Sequence, residues 1–117
     1  MNRAWRRARR WLLPALAPGD GGEVELLREL AAGRAQLWIG DQAAVVTQCV
    51  ATAEGRSLHI WLAGGRLAGV LALREGVEAW ARGQGCGAVT LEGRPGWARV
   101  LRPHGYAPQG RELRRSL

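Results

Sequence analysis

The stretch "LAGGRLAG" sets Ala63, Gly64, Gly65 and Arg66 directly ahead of a run that begins at Leu67 with helical spacing. Free N–H groups at a helix start bind anions and a neighbouring guanidinium adds positive charge, so phosphate or pyrophosphate binding is the chemistry these residues can do. A Gly-Gly pair serves equally as a tight strand-to-helix connection, the commoner use of glycine at such a place. Cys49 and Cys86 have no metal-ligand spacing and read as two reduced thiols in a core. His59 lies within the apolar run Leu58 to Leu62 and His104 follows Pro103, so neither completes a metal site, and no metal is expected. "GRPGWARVLRPHGY", residues 93–106, is either a ligand site or the closing brace of a fold.

The elements that must position these groups follow from periodicity. Arg3, Arg6, Arg7 and Arg10 share one face of an N-terminal helix, with Trp5, Ala8, Leu12 and Leu16 on another. After a breaker region from Pro14 to Gly22, "EVELLRELAAG" places Val24, Leu27 and Leu30 on one side of a second helix that Gly33 caps. "AQLWIG" and the β-branched "AAVVTQCVATA" read as two antiparallel strands. "SLHIWLAGG" is a third, with Leu58, Ile60 and Leu62 facing one way and His59 and Trp61 the other.

From Leu67 the period becomes helical through Val70, Leu71, Val77, Trp80 and Ala81, and Gly69 and Gly76 inside it suggest close packing against a sheet. "CGAVTLEG" is a short strand, Pro95 opens a last helix buried through Trp97, Val100 and Leu101, and "RELRRSL" can add a final strand. A strand, crossover helix and strand from Leu58 to Glu92 implies a parallel pair beside an antiparallel meander.

With 117 residues, 47% of them hydrophobic, the chain fits one domain with a modest core. No stretch reaches the roughly 18–20 apolar residues of a membrane span, and the apolar segment after the basic N-terminus is short for a signal peptide and interrupted by Pro14. The charge is +5 over residues 1–10, −3 over 11–93 and +5 over 94–117, so the basicity belongs to the ends. Every cation other than His is Arg, the mark of coding bias more than of recognition. The helical face of Arg3, Arg6, Arg7 and Arg10 can rest on nucleic-acid phosphate, an acidic protein or an anionic membrane, or stay solvated. Six tryptophans exceed what so small a core needs, which suggests that some sit at an interface.

The element order, "SLHIWLAGG" running into a long helix, and "GCGAVTLEGRPGWARVLRPHGY" as strand, helix and Gly-aromatic finish resemble the GNAT superfamily of acyl-CoA N-acyltransferases over nearly the whole chain. More narrowly, "AAGRAQLWIGDQAAVVTQCV", "IWLAGG", "AWARGQGC" and "GRPGWARVLRPHGY" are similar to short GNAT-like proteins of tailed phages and prophages, a group that includes internal virion proteins. The resemblance implies an α+β (mixed α/β) layered fold, in which a basic helix over residues 1–20 precedes a single GNAT-like domain over 21–117. It makes "GRPGWARVLRPHGY" the family's fourth helix and its entrance, a brace. It also implies that Ala63, Gly64, Gly65, Arg66 and Leu67 would hold the pyrophosphate of coenzyme A, although the family's Gln/Arg-x-x-Gly-x-Gly/Ala spacing is missing.

Active members carry a Tyr about five residues before the closing aromatic to protonate the thiolate; Leu101 stands there, and Tyr106 matches the aromatic itself. A general base must accept the amine's proton directly or through water. Glu54, Glu75, Glu78, Glu92 and His59 are the candidates, and Glu92, at a strand end beside the expected cleft, is preferred as the catalytic residue.

The expectation is a noncatalytic phage or prophage protein, in the virion or the host cytoplasm, that contacts other virion or assembly proteins, needs no cofactor and can form an oligomer. The alternatives are an N-acetyltransferase using acetyl-CoA on an amine, and an Arg-mediated binder of nucleic acid or a membrane surface.

Overall fold

The computed structural model describes residues 3–17, 19 and 21–117, apart from the Pro95 side chain; Pro18 and Asp20 of the breaker region and Met1 and Asn2 lie outside the described residues. Helices α1 (Arg3–Leu12) and α2 (Gly22–Ala31) precede strands β1 (Gln36–Ile39), β2 (Ala43–Thr52) and β3 (Gly55–Gly65). Helix α3 (Leu67–Gly83), strand β4 (Ala88–Glu92), helix α4 (Pro95–Leu101) and strands β5 (Ala107–Gln109) and β6 (Glu112–Ser116) follow. The strands form one sheet in the order β1-β2-β3-β4-β6-β5. Only β3 and β4 are parallel, joined through α3; every other pair is antiparallel.

The architecture is therefore mixed α+β, with apolar clusters on both faces of the sheet. On one face Trp5, Ala8 and Leu12 of α1 and Leu26 of α2 pack on Ala44, Val46 and Leu62. On the other, Val77 and Ala81 of α3 and Leu101 of α4 cover Leu58, Val89, Leu91 and Leu113. A fork ties α1 to α2: Trp5 Nε1 and Arg9 Nε donate to Glu23 Oε1 at 3.1 and 3.0 Å, and Arg9 Nη2 donates to Glu23 Oε2 at 3.0 Å.

Several details differ from the sequence pattern. In α2 the fully buried residue is Leu26, which joins the cluster of α1 and the sheet, whereas Val24 is 69% exposed. Leu67 is also exposed at the start of α3. In β3 the expected Leu58, Ile60, Leu62 face is broken by a register shift opposite Val46 and Thr47: Thr47 pairs with Ile60 and Val46 with Leu62, leaving Trp61 as an extra residue. The bulge rotates Leu62 onto the α1 face while Leu58 and Ile60 stay on the α3 face.

Gly69 is required by packing, since a Cβ there would lie 2.9 Å from the Ala43 Cβ; Gly76 is not, its nearest neighbour being Trp38 at 3.9 Å. Of the six tryptophans only Trp5 is buried, and the other five pack against the core while keeping part of their surface exposed. Trp5, Trp11 and Trp61 pack in the α1 cluster, and Trp38, Trp80 and Trp97 in the α3 cluster.

Candidate functional site

Parallel pairing of β3 and β4 covers only Ser57–Ile60 against Ala88–Leu91. Beyond it, β3 continues to Gly65 along β2 while β4 ends at Glu92. The Trp61 bulge bends β3 where this pairing stops, and a cleft opens between the two strands. It holds a cavity of about 50 Å³ lined by Trp61, Leu62, Ala63, Glu92, Arg94 and Trp97 among others. Ile60, Ala63, Leu91 and Trp97 also wall a second, apolar cavity of about 20 Å³ on the α3 side. Each has room for one or a few waters.

Glu92 is exposed at this cleft and stands opposite Glu112 of β6. Arg94, the residue before α4, supplies a cation at the same rim. Sequence reasoning did not select Arg94 or Trp97 for the cleft; the Arg-Pro helix start was the only signal pointing there.

The connector between β3 and α3 is the single residue Arg66. Its N–H donates to the Gln42 carbonyl at 2.8 Å, so it is not free for an anion. A Cβ on Gly64 would lie 1.9 Å from the Trp11 carbonyl oxygen, and one on Gly65, at φ +102°, would lie 2.3 Å from the Gln42 oxygen. The two glycines thus admit the α1 backbone and the β1–β2 turn, leaving no cradle at their own positions. Ala63 lines the cleft, whereas Leu67 lies on an open groove with Arg94, Gly96, Trp97, Arg99 and Val100. Ala63 and Leu67 thus line two openings that share Arg94 and Trp97.

The other predicted bases are dispersed. Glu54 sits in the β2–β3 turn, at the far end of β3 from the cleft, where its N–H donates to Thr52 Oγ1. Glu75 is solvated, 3.8 Å from Arg74. His59 lies on the opposite face from Leu58 and Ile60, with Nδ1 2.8 Å from Thr90 Oγ1 and 3.6 Å from Glu112 Oε2. Thr, His and Glu have the composition of a nucleophile, base and orienting acid, but both partners contact the same ring nitrogen, so no relay is formed.

Glu78 is buried and fully engaged. Its Oε1 accepts from Arg74 Nη1 and Arg115 Nη1, and its Oε2 accepts from the Tyr106 hydroxyl at 2.8 Å. Burial, then the Glu78 hydrogen bond and charge, push the Tyr106 phenol well above its ordinary range. Tyr106 is 2% exposed and Leu101 is buried, so neither offers a proton to the cleft. The stretch 93–106 thus packs Leu101 and Tyr106 into the core while its Arg94 and Trp97 line the cleft.

On α1, Arg3, Arg6, Arg7 and Arg10 are exposed. Arg10 stacks on Trp11, 4.4 Å from the ring centroid, and no carboxylate pairs Arg3, Arg6 or Arg7 among the described residues. No helix among the described residues is long and apolar enough to cross a membrane, and no group of three metal-binding side chains occurs among them. No protein-family model matches the chain, and no curated protein matches it significantly in sequence.

Proposed function

We propose that the chain is a noncatalytic GNAT-like protein of a tailed phage or prophage, a component of the virion or of its assembly in the host cytoplasm that acts through protein contacts. The observation that carries the noncatalytic reading is the Arg66 connector. Where an acyltransferase needs free backbone N–H groups for pyrophosphate, the Arg66 N–H is spent on Gln42 and Gly64 is filled by the Trp11 carbonyl. Tyr106, bonded to Glu78, and Leu101, five residues before it, leave the leaving thiolate without an acid. The exposed guanidinium face of α1 is suited to an acidic protein partner.

Acetyl-CoA at millimolar concentration is expected to leave the melting temperature unchanged, since only a ligand that binds the native state raises it. A rise that saturates with acetyl-CoA would overturn the noncatalytic reading. Peptides of this chain in purified particles, found by mass spectrometry, would support the virion assignment, and their absence from particles and assembly intermediates alike would remove it.

A second reading has its own support. The groove lined by Leu67, Arg94, Trp97 and Arg99 lies beside the first turn of α3 and continues toward the strand cleft, a shape and charge suited to acetyl-CoA. In that reading Glu92 takes the proton of an amine acceptor.

A further inference from the structure

Cys49 and Cys86 are 37 positions apart in sequence, yet the fold brings them into one apolar cluster. Cys49 on β2 stands opposite Leu58 of β3, Leu58 stands opposite Val89 of β4, and Cys86 leads into β4 from the end of α3. The Cys49 side chain is near enough to the Cys86 thiol to help raise its pKa. Their exposure is unequal. Cys86 is 6% exposed, whereas Cys49 is half-buried and lines an open groove with Arg34, Gln48, Arg56 and Trp80.

We propose that Cys49 and Cys86 are a redox-responsive dithiol that closes to an intramolecular disulfide when a small-molecule disulfide, such as oxidised glutathione, supplies the oxidising equivalents. Cys49, the accessible member, attacks one sulfur of the oxidant as its thiolate, forming a mixed disulfide and releasing one glutathione thiolate. Cys86 then loses its proton and attacks the Cys49 sulfur, breaking the mixed disulfide and releasing the second glutathione. Two protein thiols are oxidised, one small disulfide is reduced to two thiols, and the two protons end on the released glutathiones.

The backbone around Cys86 is held in place, its own N–H donating to the Ala81 carbonyl and that of Gly87 to the Arg56 carbonyl, so closure rests on rotation of the two thiol side chains. Burial, then the Cys49 sulfur, raise the Cys86 pKa, so the second step quickens with pH. Closure would staple β2 to the α3–β4 connector and leave the strand cleft untouched.

The test incubates the folded, full chain in glutathione buffers of rising oxidised fraction, blocks remaining thiols by alkylation and maps peptides without reduction. The expected result is a Cys49–Cys86 linked peptide in a monomeric chain that loses both thiols together and melts several degrees higher. The Cys86→Ser variant is expected to halt as a stable glutathione adduct on Cys49. Adducts on Cys49 of the unaltered chain with Cys86 still alkylatable, disulfide-linked dimers, or two thiols untouched at full oxidation would each overturn the proposal. The unaltered chain decides the matter even if the variant does not fold.

Discussion

Glu78 draws three donors from separate parts of the chain: Arg74 one helical turn before it, Tyr106 after α4, and Arg115 on β6. Removing a buried charge from such a cluster strands its partners, so Glu78→Ala is expected to cost about 3–5 kcal/mol in urea unfolding. The Arg74 pairing is legible in sequence, since residues four apart meet on a helix. The other two are not, because nothing local signals a partner 28 or 37 residues away. That is why Glu78 looked like one of several equivalent candidate bases.

The Tyr106 phenol holds its proton in the folded state to higher pH than in the unfolded chain, where it leaves near pH ~10. Its contribution is therefore complete below that pH and lost as pH rises toward the folded value. The raised Cys86 thiol acts in the same sense from about pH 8.5 upward. Urea midpoints are expected to fall through the alkaline range, and Tyr106→Phe to flatten the part of the decline above about pH 10. A midpoint that rose there would contradict the assignment.

At the scale of elements, hydrophobic period placed the helices and most of the strands, because each buries one face and periodicity records which residues lie on it. It could not register the Trp61 bulge, which depends on the pairing of two strands and reverses the side to which Leu62 points. The splayed cleft depends on that same pairing, so Arg94 and Trp97 were invisible as its lining. Leu26 was missed for a related reason: it is buried in a cluster of α1 and the sheet, and the spacing within α2 alone does not record which side meets it.

The glycines of β3 and α3 separate close packing from mere tolerance. Gly64→Ala would push a Cβ into the Trp11 carbonyl and is expected to cost about 3 kcal/mol by displacing α1 from β3. Gly76→Ala meets only ordinary contact and is expected to stabilise α3 by about 1 kcal/mol, as helix propensity dictates. Thermal melts of the two variants check both signs.

For the whole molecule, the division of charge predicted basic ends on a neutral-to-acidic middle, and the structure shows how each end is used. Arg115 is drawn inward to Glu78 and Arg9 to Glu23, while Arg3, Arg6 and Arg7 remain without carboxylate partners among the described residues. Replacing those three with Gln is expected to change stability by no more than about 0.5 kcal/mol, because exposed, unpaired side chains contribute little to folding. Any larger effect on association with a partner would then belong to binding.

The noncatalytic proposal rests on the single-residue connector at Arg66, whose N–H is spent on Gln42, and on the small cleft between β3 and β4. Calorimetric titration of acetyl-CoA into the purified protein at low salt tests this most directly. A scaffold predicts no saturable heat even at millimolar ligand. Stoichiometric binding in the micromolar range would contradict it and make the Arg94–Arg99 groove a working cofactor site.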